Sequence, residues 1–529
     1  KNGSIVSEMM RHFLNNEPMP GIEMEWTMLF PQIKQVLTVD ALNQMCKNLM
    51  SDQNSYIYFM GQLKEGNPIP TEEELLSLYR ECMAQPVQPY AEEAIAKQLV
   101  EKLPKPGKVK KVSEGPLGST MWTLSNGVKV IWKQTDFAKD AISLVATSMG
   151  GYQVYKDEKR INRETTGIFY DLGGVGQFSP TALHKALAGK NVNVSTSVSE
   201  TGESIHGGCT PKDMRTMFEL VYLRVTAPRQ DQEVYQSTLA RIEQNLKNQI
   251  GTPSKVISDS SAVTFYKGQP DQRPLELDEL KDLDYDRVFQ LAKERFANAA
   301  DFTFFLIGNI DEDSLRTMCC QYLATLPTNK KFETFVPGTI VTPGSRENRF
   351  DVAMEQPKTT VSNQFTLFNQ SWNLKDHLTL DMLGQVLRIV FTETIREQEG
   401  GVYSPSARAG FNATEGCMTL SYNFETGADK CAHIEEVAYR ETEKLSQPGG
   451  VSEEVLQKVR DYMIKSYQDD QKENSYWISR IMNIYNYGLN YHDNYLETLQ
   501  SITTADLEAM MGRMLKADRI QFVPNGVQK

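Results

Sequence analysis

The sequence predicts an α+β fold of tandem homologous domains, each a mostly antiparallel sheet with helices packed on one face. Three observations predict it. A helix–strand unit occurs twice at an almost constant spacing, the strands come in hairpins, and pairs of amphipathic helices follow the hairpins. A chain of 529 residues is also too long for a single hydrophobic core.

The first anchor of the repeat is a helix that leads into an apolar strand. Residues 283–301 have helical periodicity, and the strand Phe302–Ile307 follows and closes at Gly308. Residues 502–523 repeat this order and close at Gly526, which follows Gly308 by 218 residues.

The second anchor is a capped helix. Asp231 and Ser452 are both good N-caps, and each has acidic residues in the following turn, where the helix dipole favours them. Val234 and Val455 occupy equivalent positions in the two helices and are 221 residues apart. Two anchors with nearly the same offset predict the duplication of a whole domain.

Strand signals fill the front of the first complete copy. Trp122–Leu124 and Val128–Trp132 flank Asn126-Gly127, which predicts a hairpin with a two-residue turn. Residues 141–149 form a further apolar strand, and Thr210 begins a helix with proline at its first position.

A shorter copy precedes these two. Residues 38–49 predict a helix and Tyr56–Met60 a strand, which together resemble only the end of the repeated unit. Because the chain begins at Lys1 within such a unit, we expect a fragment or a processed chain, with any targeting signal upstream. The expected organisation is a truncated domain, a linker, a degenerate domain and a last domain, at residues 1–100, 101–114, 115–332 and 345–526.

Composition excludes several classes of function. A formal charge of −12 argues against a nucleic-acid-binding face, and no apolar run approaches the 18 residues that predict a membrane span. The seven cysteines include no CxxC pair, so they predict neither a metal site nor a redox compartment.

No metal site is predicted in this chain. None of the six histidines is spaced from another as in HExxH or HxxEH. His433, within His433-Ile434-Glu435-Glu436-Val437, comes closest, but valine stands where a second histidine would be needed, so we interpret it as a solvated helix residue. A serine-hydrolase GxSxG and a phosphate-binding GxxxxGK[ST] are also absent.

The candidate catalytic residues are Arg396 and Tyr403. They flank Gly400-Gly401, which follows the helical segment 381–391 and precedes the alternating run 416–424. We expect the helix to end near the glycines and Tyr403 to open an extended segment. A guanidinium and a phenol aimed at one carbonyl would stabilise its oxyanion. Alternatively, Arg396 is a solvated helix residue and Tyr403 a half-buried strand aromatic.

This spacing, in a Gly-Gly-Val-Tyr-Ser context, resembles the Arg…Tyr motif of the pitrilysin/insulinase family of zinc metallopeptidases, and the repeat pattern resembles its domains. The resemblance implies four α+β domains in two halves, with this chain as the C-terminal half. It implies one zinc, bound through HxxEH outside this chain. It also implies that Arg396 and Tyr403 hold the substrate carbonyl. Residues 163–172, which would align with the zinc helix, contain no histidine.

Two hypotheses follow. In the first, the chain is the C-terminal half of a zinc endopeptidase, is inactive alone, and has a peptide or small unfolded protein and its own N-terminal half as partners. In the second, it is a non-catalytic peptide-binding or scaffold member of the same fold. Retention of both Arg396 and Tyr403 favours the enzyme. Relatives of this double length imply a periplasmic or cell-envelope location.

Overall fold

The computed structural model describes residues 2–49, 55–61, 68–86, 96, 98–329 and 331–529. These residues belong to two compact units, 1–92 and 93–529. Within the described ranges, no helix combines the length and apolar character that crossing a membrane requires.

The described residues of the first unit form helices and irregular segments. Its helices are α1 (Asn2–Asn15), α2 (Ile22–Met24), α3 (Phe30–Val36), α4 (Val39–Leu49) and α5 (Glu72–Ala84). The helix predicted over residues 38–49 is therefore present as α4. The strand predicted over Tyr56–Met60 is wrong, because residues 55–61 are irregular and exposed. A β-strand needs a neighbouring strand for its backbone hydrogen bonds, and the described part of this unit provides none.

The second unit contains two sheets. Its strands are β1 (Val109–Glu114), β2 (Thr120–Leu124), β3 (Lys129–Gln134), β4 (Ile142–Met149), β5 (Val192–Val198), β6 (Gly202–Cys209), β7 (Thr303–Gly308), β8 (Arg346–Met354), β9 (Thr359–Leu367), β10 (Ser406–Asn412), β11 (Cys417–Thr426) and β12 (Asp518–Gln528). β1 lies inside the stretch predicted as the linker, and the four domain boundaries themselves stay a prediction.

The two sheets repeat one topology. The first has the order β1-β2-β3-β7-β4-β6-β5, and the second has the order β10-β11-β9-β12-β8. Read from its other end, the second sheet matches the last five strands of the first. In both, one parallel pair (β3–β7 or β8–β12) joins strands that are otherwise antiparallel. The mostly antiparallel tandem fold predicted from the sequence is confirmed.

Helices cover the sheets. They are α6 (Arg160–Glu164), α7 (Thr166–Phe169), α8 (Pro180–Ala186), α9 (Met214–Thr226), α10 (Gln232–Gln249), α11 (Pro253–Tyr266), α12 (Tyr285–Arg295), α13 (Glu312–Gln321), α14 (Leu374–Phe391), α15 (Cys431–Lys444), α16 (Glu453–Asp470), α17 (Asn474–Tyr487), α18 (Tyr495–Ser501) and α19 (Thr504–Leu515). Asp231 and Ser452 cap α10 and α16 through their side chains, as expected.

Each sheet also packs against one helix from the part of the unit that contains the other sheet. Ile478 and Ile481 of α17 pack on Ile131, Phe305 and Ile307, which project from the first sheet away from its main core. In return, α11 packs on the second sheet, where the ring of Phe265 lies 6.0 Å from that of Phe522. This exchange explains why β7 is buried along its whole length.

The predicted hairpin forms between β2 and β3. Its turn differs from the prediction, because the Leu124 N–H donates to the Val128 carbonyl, which leaves three residues in the loop. Gly127 adopts a φ of +97°, which favours glycine there.

Candidate functional site

Arg396 lies near the end of a long helix. α14 continues without interruption into a π-helical turn, Thr392–Gln398, which carries Arg396. The helix therefore ends at the glycines, as expected. The expectation that Tyr403 opens an extended segment is wrong, because the chain bends at Tyr403 and β10 begins only at Ser406. Pro405 has no N–H to donate to a sheet, which delays the start of the strand.

The loop between the two residues is anchored on both sides. Ile395 and Val402, each adjacent in sequence to a candidate residue, are buried in the core. The Thr426 hydroxyl donates a 2.8 Å hydrogen bond to the Gly401 carbonyl. Gly400 reverses the chain with a φ of +58°. These anchors hold the loop while leaving both candidate side chains outside the core.

The structure brings Arg396 and Tyr403 together. The Arg396 Cζ atom lies 5.7 Å from the centroid of the Tyr403 ring, within the range of a cation–π contact. Tyr403 is 85% exposed, and Arg396 is also exposed. Both side chains can therefore donate hydrogen bonds to a molecule that approaches from solvent.

A groove beside the pair was missed in the sequence. Its lining includes Arg388, Ile389, Thr392, Arg396 and Pro405. Arg388 is exposed and lies two turns before Arg396 on the same continuous helix. Helical periodicity could have placed the two arginines near one face, but only if the helix had been known to continue through Thr392–Gln398.

A contact from α15 to the loop that carries the two glycines was also missed in the sequence. The His433 Nε2 atom lies 2.8 Å from a carboxylate oxygen of Glu399, the residue directly before the two glycines. His433 is exposed and helical, in agreement with its interpretation from sequence. The contact was not predictable, because 34 residues separate its partners.

No metal-binding cluster occurs in the described part of the chain, where no group of three or more His, Cys, Asp or Glu side chains is arranged to hold an ion. His184 and His206 are exposed on separate elements. In the segment expected to align with a zinc helix, Arg163 pairs with Asp271 at 2.6 Å. The charged side chains of that segment thus serve ion pairs.

Comparisons with known proteins agree with the repeated fold. Residues 282–463 match the family described as the Peptidase M16 inactive domain. The chain is 23% identical over 503 residues to the Zinc protease PQQL-like of Arabidopsis thaliana, covering 91% of this chain and 49% of that protein. It is 24% identical over 298 residues to the Probable zinc protease PqqL of Escherichia coli. This alignment covers 55% of this chain and 31% of that protein.

Solved structures show the same fold. The periplasmic protease PqqL from Escherichia coli superimposes with a TM-score of 0.71 at 18% identity, covering 99% of this chain and 58% of that one. The ferredoxin protease FusC, solved with Arabidopsis ferredoxin, gives a TM-score of 0.73 at 16% identity. The superposition covers 100% of this chain and 58% of that one.

The tandem α+β units and the family match make the chain similar to zinc proteases of this fold. The family match over residues 282–463 and the similarity to these zinc proteases support the C-terminal half of a protease of the M16 family. The chain spans about half the length of the Arabidopsis relative. The recognition made from the sequence is confirmed.

We expect the chain to bind no stoichiometric zinc, since its histidines lie on separate elements. After incubation with zinc and gel filtration, metal analysis should give far less than one ion per chain. One tightly bound zinc per chain would contradict the assignment of the metal to another part of the protein.

Proposed function

We propose that this chain is the non-metal-binding half of a zinc-dependent endopeptidase and is inactive without the other half. It helps to enclose a peptide or a small unfolded protein, and Arg396 and Tyr403 donate hydrogen bonds to the carbonyl that is cleaved. The observation that carries the proposal is the pairing of the two exposed side chains on an anchored loop.

Two donors of this kind suit an oxyanion. As a peptide carbonyl becomes tetrahedral, its oxygen gains negative charge, so donors aimed at it bind the transition state more strongly than the substrate. Arg396 supplies a permanent positive charge, and Tyr403 supplies a neutral O–H on a rigid ring. The buried neighbours Ile395 and Val402 limit the movement of both, which keeps the cost of orienting them low.

The zinc of the complete protein is proposed to be bound outside this chain, where it would polarise the carbonyl and activate water. Residues of this chain would then act from the opposite side of the substrate. The groove lined by Arg388, Ile389 and Pro405 offers space for the peptide next to the pair. Because a relative of known structure is described as periplasmic, we also propose a cell-envelope location, which cell fractionation tests.

Tyr403→Phe is expected to lower kcat of the complete protease by about 10- to 1000-fold with a smaller change in KM, because the lost hydrogen bond forms mainly in the transition state. Arg396→Lys should also lower kcat, since a lysine cannot reproduce the planar donor fork. Steady-state kinetics on an unstructured peptide measures both.

Tyr462→Phe is the matched control, because Tyr462 is 58% exposed on α16 and is not among the residues lining the groove. It should leave kcat unchanged. If Tyr403→Phe and Arg396→Lys both retain the wild-type kcat, the oxyanion role is wrong. A complete protein with peptide binding but no hydrolysis would instead favour the scaffold hypothesis.

A further inference from the structure

The side chain of Glu399 ties the loop that carries the candidate pair to a second helix. One of its carboxylate oxygens lies 2.8 Å from the Nε2 atom of His433 on α15. Among residues 396–405, all of which the structure describes, no other side chain forms a hydrogen bond or an ion pair with another element. This contact is therefore the single polar link from the side chains of these ten residues to the rest of the fold.

The contact lies beside Gly400, where the backbone of the loop can rotate. Gly400 has a φ of +58°, and a Cβ atom built on it would meet no atom within 4 Å. Glycine has more backbone freedom than any other residue, so packing does not fix the turn at this point. A rotation at Gly400 would move the Tyr403 ring relative to the Arg396 guanidinium. The geometry of the pair therefore depends on contacts that hold the chain on both sides of Gly400.

The side of the loop that follows Gly400 is held by packing and by one hydrogen bond. A Cβ atom added to Gly401 would lie 2.6 Å from the Cδ1 atom of Ile434, which shows how closely α15 approaches the loop. Ile434 is buried in the core, and the Thr426 hydroxyl donates to the Gly401 carbonyl. Because His433 directly precedes Ile434, the same turn of α15 contacts the loop before and after Gly400.

Each partner of the contact carries its charge at a helix end that disfavours that charge. Glu399 caps the carboxyl end of the helix that begins with α14, where a carboxylate meets the negative end of the helix dipole. His433 is the third residue of α15, where a protonated imidazole meets the positive end. Neither residue stabilises its own helix, but each offsets the charge of the other. Residues that break a local rule in this way are expected where function selects them.

We propose that His433 and Glu399 are positioning residues for the candidate catalytic pair. Their contact fixes the turn at Gly400, so that both donors of the pair meet the same carbonyl oxygen. Arg396 lies before this turn and Tyr403 after it, and a misplacement of about 1 Å in a reacting geometry can lower a rate by about 100-fold. The inference rests on the proposed function, because it concerns the donors that are assigned there to the oxyanion.

His433→Ala in the complete protease tests the proposal by steady-state kinetics. It should lower kcat by about 3- to 10-fold with little change in KM, because poorly placed donors lose binding mainly in the transition state. His433→Gln should recover at least about half of the wild-type kcat, since an amide N–H can take the place of the imidazole Nε2 atom. His184→Ala is the matched control, because His184 is exposed on α8, and it should leave kcat unchanged.

Coupling between the variants separates positioning from a general loss of stability. In the Tyr403→Phe background, His433→Ala should lower kcat by a smaller factor than in the wild type, because one of the donors that it places is already lost. The double variant His433→Ala/Glu399→Ala should be no slower than either single variant. The urea midpoint should not change, since the His433 side chain is 60% exposed and such pairs contribute little to stability. Full multiplication of the His433→Ala and Tyr403→Phe losses would overturn the proposal.

Amide hydrogen exchange of the full chain gives a measurement that does not depend on catalysis. The Glu399 N–H donates to the Thr394 carbonyl at 3.0 Å, so its exchange reports the opening of the helix end beside the turn. His433→Ala should speed exchange in residues 399–402 by about threefold or more, whereas His433→Gln and His184→Ala should leave it at the wild-type rate. Unchanged exchange in His433→Ala would overturn the proposal.

The two proposals fail separately. If His433→Ala keeps the wild-type kcat while Tyr403→Phe lowers it, the oxyanion role stands and the positioning role is wrong. If His433→Ala speeds exchange in residues 399–402 while Tyr403→Phe and Arg396→Lys leave kcat unchanged, the contact holds the turn and the oxyanion role is wrong.

Discussion

Arg295→Met is expected to lower the free energy of unfolding by about 3 to 5 kcal/mol at pH 8, because it leaves the buried carboxylate of Glu203 without its partner. The two side chains are 3% and 0% exposed and are in direct contact. The Gly151 N–H donates to the same carboxylate oxygen at 2.9 Å. Arg295 also contacts Glu333 at 3.2 Å and donates to the Met149 carbonyl.

The loss of stability in Arg295→Met should be smaller at low pH than at high pH. Burial raises the pKa of Glu203 to about 7, although Arg295 opposes the shift. Without Arg295 the folded-state pKa rises further above the unfolded value of 4.5. A carboxyl group with a raised folded pKa contributes most stability at low pH, and this contribution is lost as pH rises through the folded pKa. The variant should therefore be less destabilised at pH 5 than at pH 8.

Urea denaturation at both pH values measures the effect. Arg440→Met is the matched control, since Arg440 is 59% exposed and its nearest carboxylate lies 3.6 Å away. It should change stability little at either pH. An equal loss for Arg295→Met at pH 5 and pH 8 would show that Glu203 does not take up a proton in the variant.

Local sequence signals predicted much of the fold. Capping residues such as Asp231 and Ser452 act within one turn, so they mark helix starts without knowledge of the tertiary structure. The exchange of α17 and α11 between the sheets was not predictable. Ile478 and Ile481 have the same helical periodicity whichever sheet they pack on, and only tertiary contacts decide between them.

The same limit applies to the candidate site. The spacing of Arg396 and Tyr403 around Gly400-Gly401 predicted a corner, and the corner is present. The anchor from Thr426, the contact from His433 to Glu399 and the groove residue Arg388 were missed. Each depends on elements or on a helix extension that the local pattern does not specify.

His377→Gln and Asp381→Asn are expected to change the pH dependence of stability in opposite directions. Both residues lie on α14, one turn apart, beside Arg480 of α17. The His377 ring lies 4.9 Å from that of Tyr491, over which the Arg480 guanidinium also sits. The two groups therefore share one crowded site, which favours the neutral form of each.

Burial, followed by the positive charge of Arg480, lowers the pKa of His377 from 6.5 to about 4. The unfolded chain therefore takes up a proton that the folded chain does not, and stability falls as pH drops from 6.5 to 4. Burial raises the pKa of Asp381 from 3.8 to about 6, against the attraction of Arg480. Here the folded chain takes up the proton first, so stability rises as pH drops from 6 to 4.

Each contribution amounts to about 3 kcal/mol over its window, and in the wild-type chain the two largely offset each other. Asp381→Asn removes the compensating gain, so acidification from pH 7 to pH 4 should destabilise this variant by about 3 kcal/mol more than the wild type. His377→Gln should make the chain correspondingly more resistant to acid than the wild type.

Urea denaturation at several pH values between 7 and 4 gives these differences, in which the titration of all other groups cancels. The double variant His377→Gln/Asp381→Asn should regain the pH profile of the wild type, because it lacks both titrating groups. If both single variants follow the wild-type profile, neither side chain changes its protonation on folding in this range.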